Sequence, residues 1–187
     1  LYSFLGARSG MPLSIDTAIA SMDLGGGSTE VVFGDGHGMR WSTSLELGSA
    51  RLTEDFLRPG GKGVEAMQAH IQKVFQTVPR ELPIKTVIAM AGTATTLGAI
   101  DLGLTEWKPE LVHGHRLTLS SLNRIANQLQ QCTLEQKRSL AAVSPKRADF
   151  LLAGARIIEG LLTHLQREDC TLTVRGLRFG ILEGQHL

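Results

Sequence analysis

The residues best suited to chemistry lie in one short stretch, residues 22–30, which reads Met-Asp-Leu-Gly-Gly-Gly-Ser-Thr-Glu. Apolar runs on both sides predict two strands joined by a glycine turn. The backbone N–H groups of such a turn, together with the hydroxyls of Ser28 and Thr29, are suited to binding an anion. Asp23 enters the turn and Glu30 leaves it, and carboxylates beside an anion site suit a divalent cation or an activated water. A tight hairpin whose glycines serve only its geometry is the structural alternative.

Composition indicates an ordinary globular domain. Of the 187 residues, 42% are hydrophobic and 20% are charged, with a formal net charge of +1. No apolar run approaches the ~20 residues of a membrane span, so no membrane partner is expected. Basic and aromatic residues are not interleaved, so no nucleic-acid partner is expected either. Cys132 and Cys170 show neither metal spacing nor a disulfide framework, which favours a reducing, cytoplasmic location.

The first half of the chain predicts strands before helices. Three strands are expected at residues 18–24, 30–34 and 39–47, and a buried fourth strand at 86–91. Helices are expected at 49–57, over the apolar stripe from Val64 to Val78, and at about 95–102. The last of these follows Gly92-Thr93, so its N-terminus offers a second anion site. Residues 106–117 are interpreted as a connector, and residues 1–6 as the end of a helix closed by Gly6.

The second half is predicted to be mostly helical. An apolar stripe from Leu122 to Cys132 predicts one helix, and Thr133-x-x-Gln136 is a capping-box pattern that opens a short helix to about Val143. Ser144-Pro145 predicts the start of a long helix. A last strand is expected at 170–175 and a closing helix at 176–187. The order predicts an α/β, ribonuclease H-like fold with a mixed five-stranded sheet and helices on both faces.

The string from Asp23 to Glu30 resembles the second phosphate-binding hairpin of the actin-like ATPase superfamily. Within that superfamily it resembles the exopolyphosphatase/guanosine pentaphosphate phosphatase (Ppx/GppA) family. Further matches follow in the family's order: Leu47-Gly48-Ser49-Ala50-Arg51-Leu52, Ala91-Gly92-Thr93-Ala94-Thr95-Thr96-Leu97, Val112-His113-Gly114, Arg147-Ala148-Asp149 with Ala153-Gly154, and Gly176-Leu177-Arg178-Phe179-Gly180. The resemblance therefore covers nearly the whole chain.

The resemblance implies that residues 1–187 form one lobe of a two-lobed enzyme, with the active site in the cleft between the lobes. The first lobe of such enzymes carries a hairpin of the type Asp-x-Gly-Ser-Asn-Ser, and nothing in this sequence matches it. The family's proposed catalytic glutamate, which precedes a segment resembling residues 2–6, is also absent. We therefore expect the chain to be the C-terminal lobe, to lack the first lobe, and to be inactive alone.

The resemblance also implies a reaction, the hydrolysis of terminal phosphoanhydride bonds of inorganic polyphosphate or guanosine pentaphosphate with Mg²⁺. It gives Asp23 and Glu30 catalytic and metal-binding roles. The phosphate-binding residues would be Gly25, Gly26, Gly27, Ser28, Thr29, Gly92 and Thr93. Which of the two substrates is used, and whether the protein forms a homodimer, stays open.

Two other functions fit the same hairpin. A sugar kinase or ATPase lobe of the superfamily would need an adenosine pocket with paired glycines, and Ala91-Gly92 offers only one. A phosphate- or nucleotide-sensing module without catalysis would look the same at the turn. His113 and His115 lack a third ligand and predict a surface loop, while Arg147 and Asp149 fit a helix-surface pair as well as a functional one.

Overall fold

A computed structural model describes residues 1–140 and 145–184. Its centre is a six-stranded sheet in the order β3-β2-β1-β4-β6-β5. The strands are β1 Ile19–Leu24, β2 Thr29–Asp35, β3 Gly38–Leu45, β4 Thr86–Met90, β5 Arg116–Thr118 and β6 Asp169–Leu172. The helices are α1 Tyr2–Arg8, α2 Ser49–Leu52, α3 Gly63–Phe75, α4 Gly92–Asp101, α5 Pro109–Val112, α6 Leu119–Gln131, α7 Leu134–Arg138, α8 Pro145–Ala148, α9 Leu151–His164 and α10 Leu177–Gly184. A π-helical turn, Thr53–Leu57, continues α2.

The predicted α/β class is confirmed, but the sheet has six strands and not five. Strands β1, β4 and β6 are parallel, whereas β2, β3 and β5 are antiparallel to their neighbours. The additional strand is β5, which lies in the segment that we interpreted as a connector. Only its central residue, Leu117, is buried, and three residues are too few to show a period of two. Pairing with β6 defines this strand, and local sequence does not reveal such pairing.

Side-chain alternation along β1 divides the core between the two faces of the sheet. Ala20, Met22 and Leu24 are buried in the larger cluster, which includes residues of α3, α4, α6 and α9. Ile19 is buried in a smaller cluster with Phe4 of α1. Asp23 lies on the same face as Ile19 because residues i and i+4 of a strand share a face. Core packing on both faces therefore fixes which way the Asp23 carboxylate points.

The two terminal helices, α1 and α10, touch through their backbones. A Cβ atom on Gly6 would lie 2.2 Å from the carbonyl oxygen of Gly176, and one on Gly180 would lie 1.7 Å from that of Tyr2. Gly6 thus lies inside α1, and the prediction that it ends the helix was wrong. The glycine permits a close helix crossing, which sequence alone cannot separate from a helix end.

The predicted long helix is divided into α8 and α9. Between them the N–H of Phe150 bonds to the carbonyl of Arg147 at 2.9 Å, and Asp149 accepts a hydrogen bond from Arg58 at 3.4 Å. The capping box at Thr133 and Gln136 is confirmed. Three predictions, a helix end near Val143, a cap at Ser144 and a helix through residues 185–187, lie outside the described residues.

The described residues contain no helix that combines the length and apolar character needed to cross a membrane. Both cysteines have free thiols, with Cys132 partly exposed and Cys170 buried. Burial raises the pKa of Cys170 to about 12, so this thiol is protonated and unreactive at neutral pH.

A histidine at the end of α9 holds the loop before β4. His164 is buried, with its Nε2 atom 2.8 Å from the carbonyl oxygen of Val78 and its Nδ1 atom 3.2 Å from Nη2 of Arg80. A carbonyl only accepts, so Nε2 carries the proton and Nδ1 accepts from the guanidinium. Burial lowers the pKa of His164, the bond to Val78 opposes this, and the charge of Arg80 adds to the lowering.

We expect His164 to make the fold less stable in acid. The folded chain binds this proton less tightly than the unfolded chain, so the free energy of unfolding falls as pH drops below the unfolded value of 6.5. Glutamine at this position can still donate to Val78 but does not titrate. Urea unfolding midpoints at about pH 7.5 and about pH 5.5 should therefore differ less in His164→Gln than in the wild type. An equal or larger acid-side drop in the variant would contradict this account.

Candidate active site

The glycine hairpin brings the two predicted carboxylates together. Strand β1 ends at Leu24 and β2 begins at Thr29, and the turn between them is closed by a 2.9 Å bond from the N–H of Gly25 to the carbonyl of Ser28. In this register Asp23 stands directly opposite Glu30. Directly opposed residues of antiparallel strands have Cβ atoms about 5 Å apart, so the carboxylates lie side by side at the base of the turn.

The start of α2 holds the turn from the other side. The N–H of Ser49 donates to the carbonyl of Gly25 at 3.0 Å, and the N–H groups of Ala50 and Arg51 donate to that of Gly26 at 2.9 and 3.0 Å. The first N–H groups of α2 thus donate to carbonyl groups of the turn. In the part of the chain that the structure describes, the N–H groups of Gly26 and Gly27 donate to no protein acceptor.

The three glycines of the turn differ in what the fold requires of them. A Cβ atom on Gly25 would lie 2.8 Å from the carbonyl oxygen of Ser28, so the turn itself needs this glycine. A Cβ on Gly26 would make an ordinary 3.6 Å contact with Ala50, and one on Gly27 would meet nothing within 4 Å. Neither residue has a positive φ. The fold does not require glycine at these two positions, and their open backbone suits the close approach of a ligand.

The hydroxyls predicted to contact phosphate are engaged with protein acceptors. Ser28 donates to Oε1 of Glu30 at 2.7 Å, and Ser44 of β3 donates to the same oxygen at 2.8 Å. Thr29 is buried and donates to the carbonyl of Leu47. The donors that remain for an anion at this turn are therefore its backbone N–H groups.

The carboxyl group of Asp23 has a raised pKa. Burial raises the pKa of Asp23, a hydrogen bond from the Ser3 hydroxyl opposes the rise, and the charge of Glu30 adds to it. A carboxylate with a raised pKa binds a proton more readily, which suits a group that takes a proton from water.

The second predicted anion site adjoins the first. Asp23 pairs with Met90 in the parallel register of β1 and β4, so the two strands end at one edge of the sheet and α4 starts there. The hydroxyls of Thr93 and Ser49 lie 3.4 Å apart, and Ser49 also donates to the carbonyl of Gly25 at 3.3 Å. The structure thus places Gly92 and Thr93 beside the glycine turn.

Two features of this second site could not be predicted. Ala91 has φ 77° and ψ 172°, a conformation that is strained for any residue except glycine and that recurs at functional sites. Arg147 of α8 lies over Gly92, because a Cβ atom on that glycine would be 2.7 Å from the guanidinium carbon. The sequence left Arg147 as either a surface or a functional residue, and its place in the Arg147-Ala148-Asp149 motif was the only signal.

The other weighed residues have partners away from the turn. Arg51 pairs with Glu46 at 3.2 Å on the surface. His115 lies 2.9 Å from Asp101, and His113 lies 3.2 Å from the hydroxyl of Thr173. The described residues contain no cluster of three or more metal-binding side chains. Two carboxylates, those of Asp23 and Glu30, are enough to hold Mg²⁺, because this ion commonly binds one or two protein carboxylates and completes its coordination shell with water and phosphate oxygens.

Comparison with known proteins finds relatives named as phosphatases. The chain is 33% identical over 152 residues to Exopolyphosphatase 2 of Mycobacterium tuberculosis, covering 78% of this chain and 47% of that protein. It is 25% identical over 167 residues to the guanosine-5'-triphosphate,3'-diphosphate pyrophosphatase of Photobacterium profundum, covering 86% of this chain and 32% of that protein. The chain thus spans half or less of the length of these relatives.

Solved structures agree with the sequence relatives. The Ppx/GppA family member of Aquifex aeolicus superposes with a TM-score of 0.89 at 29% identity, over 99% of this chain and 60% of that one. The model of the Ppx/GppA phosphatase family matches residues 1–187. Because that match spans the sequence from end to end, the chain belongs to the Ppx/GppA phosphatase family.

Proposed function

We propose that the protein hydrolyses terminal phosphoanhydride bonds of inorganic polyphosphate or guanosine pentaphosphate, and that residues 1–187 form the second lobe of that enzyme. The observation that carries the proposal is the pairing of Asp23 with Glu30 beneath a turn with unused backbone donors. The names of the relatives, an exopolyphosphatase and a guanosine-5'-triphosphate,3'-diphosphate pyrophosphatase, support this substrate class. A cytoplasmic location, suggested by the two free thiols, belongs to the same proposal.

The glycine turn binds the phosphate in this proposal. The N–H groups of Gly26 and Gly27 donate to its oxygens, and the N-terminus of α4 at Gly92 and Thr93 lies on the other side. Arg147 adds a cation at the same helix start. These groups recognise phosphate oxygens and charge and make no contact specific to a nucleobase, so one site can serve both substrates.

The carboxylate pair acts on the attacking water. Mg²⁺, when bound by Asp23 and Glu30, would neutralise phosphate charge and favour deprotonation of that water. The two carboxylates orient the water, and one of them takes up its proton as the water oxygen bonds to the terminal phosphorus. The bond between that phosphorus and the bridging oxygen breaks, and its electron pair leaves with the remaining phosphate chain.

We expect the complete protein, with Mg²⁺, to release phosphate from polyphosphate or guanosine pentaphosphate much faster than from ATP. Loss of a positioned acid–base group costs about 10²-fold or more, so Asp23→Asn and Glu30→Gln should each lower kcat by at least that amount. Efficient ATP-dependent phosphorylation of a sugar or an acid would instead identify a kinase. Phosphate binding without turnover would identify a sensing module.

Asp23→Asn should also stabilise the metal-free fold at neutral pH. The substitution removes a charge that burial and Glu30 both disfavour, while its size is unchanged. The free energy of unfolding, measured in urea with EDTA, should therefore rise. Glu46→Gln, which changes an exposed carboxylate paired with Arg51, is the control and should stay within about 0.5 kcal/mol of the wild type. A lower stability of Asp23→Asn than of the wild type would show that this carboxylate is structural.

Gly27→Ala tests whether phosphate approaches the turn. The added methyl group meets no protein atom, so stability should change by less than about 0.5 kcal/mol, whereas kcat/KM should fall. Gly25→Ala is the matched comparison, because its methyl group meets the carbonyl of Ser28 and should cost about 1–3 kcal/mol of folding stability. Unchanged kcat/KM in a stable Gly27→Ala enzyme would place the phosphate elsewhere.

A further inference from the structure

A row of three polar residues crosses the sheet beneath the glycine turn. Asp23 on β1 stands opposite Glu30 on β2, and Glu30 stands opposite Ser44 on β3. Opposed residues share a face of the sheet, so all three side chains lie on the face that also carries α1. Ser44 is therefore the outer neighbour of the carboxylate pair.

Two hydroxyls converge on one oxygen of Glu30. Ser28 donates to Oε1 at 2.7 Å and Ser44 donates to it at 2.8 Å. Within residues 1–140 and 145–184, Oε2 accepts no hydrogen bond from a side chain. Fixing one oxygen restricts rotation of the carboxylate and leaves the other oxygen for a ligand, as outer partners of metal ligands commonly do.

The two serines differ in how firmly they are held. Ser28 belongs to the turn, whose backbone a ligand would approach. Ser44 belongs to β3, and the pairing of β3 with β2 is regular here, because the register shift of this pair lies farther along, between Phe33 and Gly34. Ser44 is exposed and contributes nothing to the core, so packing does not explain a serine at this position.

We propose that Ser44 is a positioning residue that sets the affinity of the site for a divalent cation. Its hydroxyl holds Oε1 of Glu30 from a regularly paired strand and leaves Oε2 for a cation that Asp23 would also bind. The inference rests on the proposed function for the presence of a cation, and it adds the residue that orients one of the ligands. Ser44 itself touches neither the cation nor the substrate.

The consequence is a change in metal affinity that exceeds the change in turnover. Removing an outer-shell partner commonly weakens metal binding by about 10–100-fold. Ser44→Ala should show such a loss, while kcat at saturating Mg²⁺ falls much less, because Asp23 and Glu30 are intact. Ser44→Thr keeps the hydroxyl, suits a strand and should restore the affinity.

The test uses Mn²⁺ as a probe of the metal site, titrated into the complete protein and followed by water proton relaxation. Ser42→Ala is the matched control, because Ser42 is exposed on the same face of β3 but stands opposite Val32. We expect weaker Mn²⁺ binding only in Ser44→Ala, with rescue in Ser44→Thr. In phosphate-release assays Ser44→Ala should need a higher Mg²⁺ concentration than the wild type to reach half of its maximal rate.

The outcomes separate this inference from the proposed function. Equal Mn²⁺ affinity of Ser44→Ala and wild type overturns the role of Ser44 even where the wild type hydrolyses polyphosphate. Failure of Ser44→Thr to restore affinity, or a wild type that binds no Mn²⁺, also overturns it. A wild type that binds Mn²⁺ in a Ser44-dependent way but releases no phosphate leaves the role standing and overturns the proposed reaction.

Discussion

The site depends on one set of hydrogen bonds, those from the first N–H groups of α2 to the carbonyls of Gly25 and Gly26. A helix start has unpaired donors, and a tight turn has carbonyls that need partners. Joining them satisfies both and fixes the orientation of the turn. With its carbonyls directed at α2, the turn keeps the N–H groups of Gly26 and Gly27 for an anion. In the proposed function the start of α2 does not contact the phosphate but orients the turn whose N–H groups bind it.

Strand β1 lies between β2 and β4 in the sheet, so groups from both neighbouring strands adjoin the glycine turn. On one side β1 pairs antiparallel with β2, which brings Glu30 to Asp23. On the other side it pairs parallel with β4, which brings the start of α4 to the same edge. The alternation of Met22 and Leu24 into the larger core holds the register, because a slip of one residue would turn Asp23 into apolar packing. The free energy that fixes the carboxylates therefore comes from buried apolar neighbours.

The sequence predicted the elements that depend on residues close to one another along the chain. The hairpin from Asp23 to Glu30, the stripe of α3 and the capping box of α7 each depend on residues close in sequence. Strand β5, the crossing at Gly6 and the contact of Arg147 with Gly92 depend on segments that meet only in the fold. The hydroxyls show the same limit. Ser44 was not identified from the sequence, because its bond to Glu30 depends on the pairing of β3 with β2, which sequence does not give.

The start of α4 explains why a phosphatase is favoured over a kinase of the same fold. A kinase lobe would need paired glycines here, whereas the first position of the pair is Ala91, which adopts a glycine-like φ of 77°. The methyl group of Ala91 occupies a position where a glycine pair would have no side chain, and the surrounding fold must offset its backbone strain. The second position, Gly92, lies under the guanidinium of Arg147. A cation over a helix N-terminus attracts a multiply charged phosphate far more than a neutral adenine ring. The proposed reaction on polyphosphate or pentaphosphate nucleotides requires this kind of selection, by charge and not by the shape of a base.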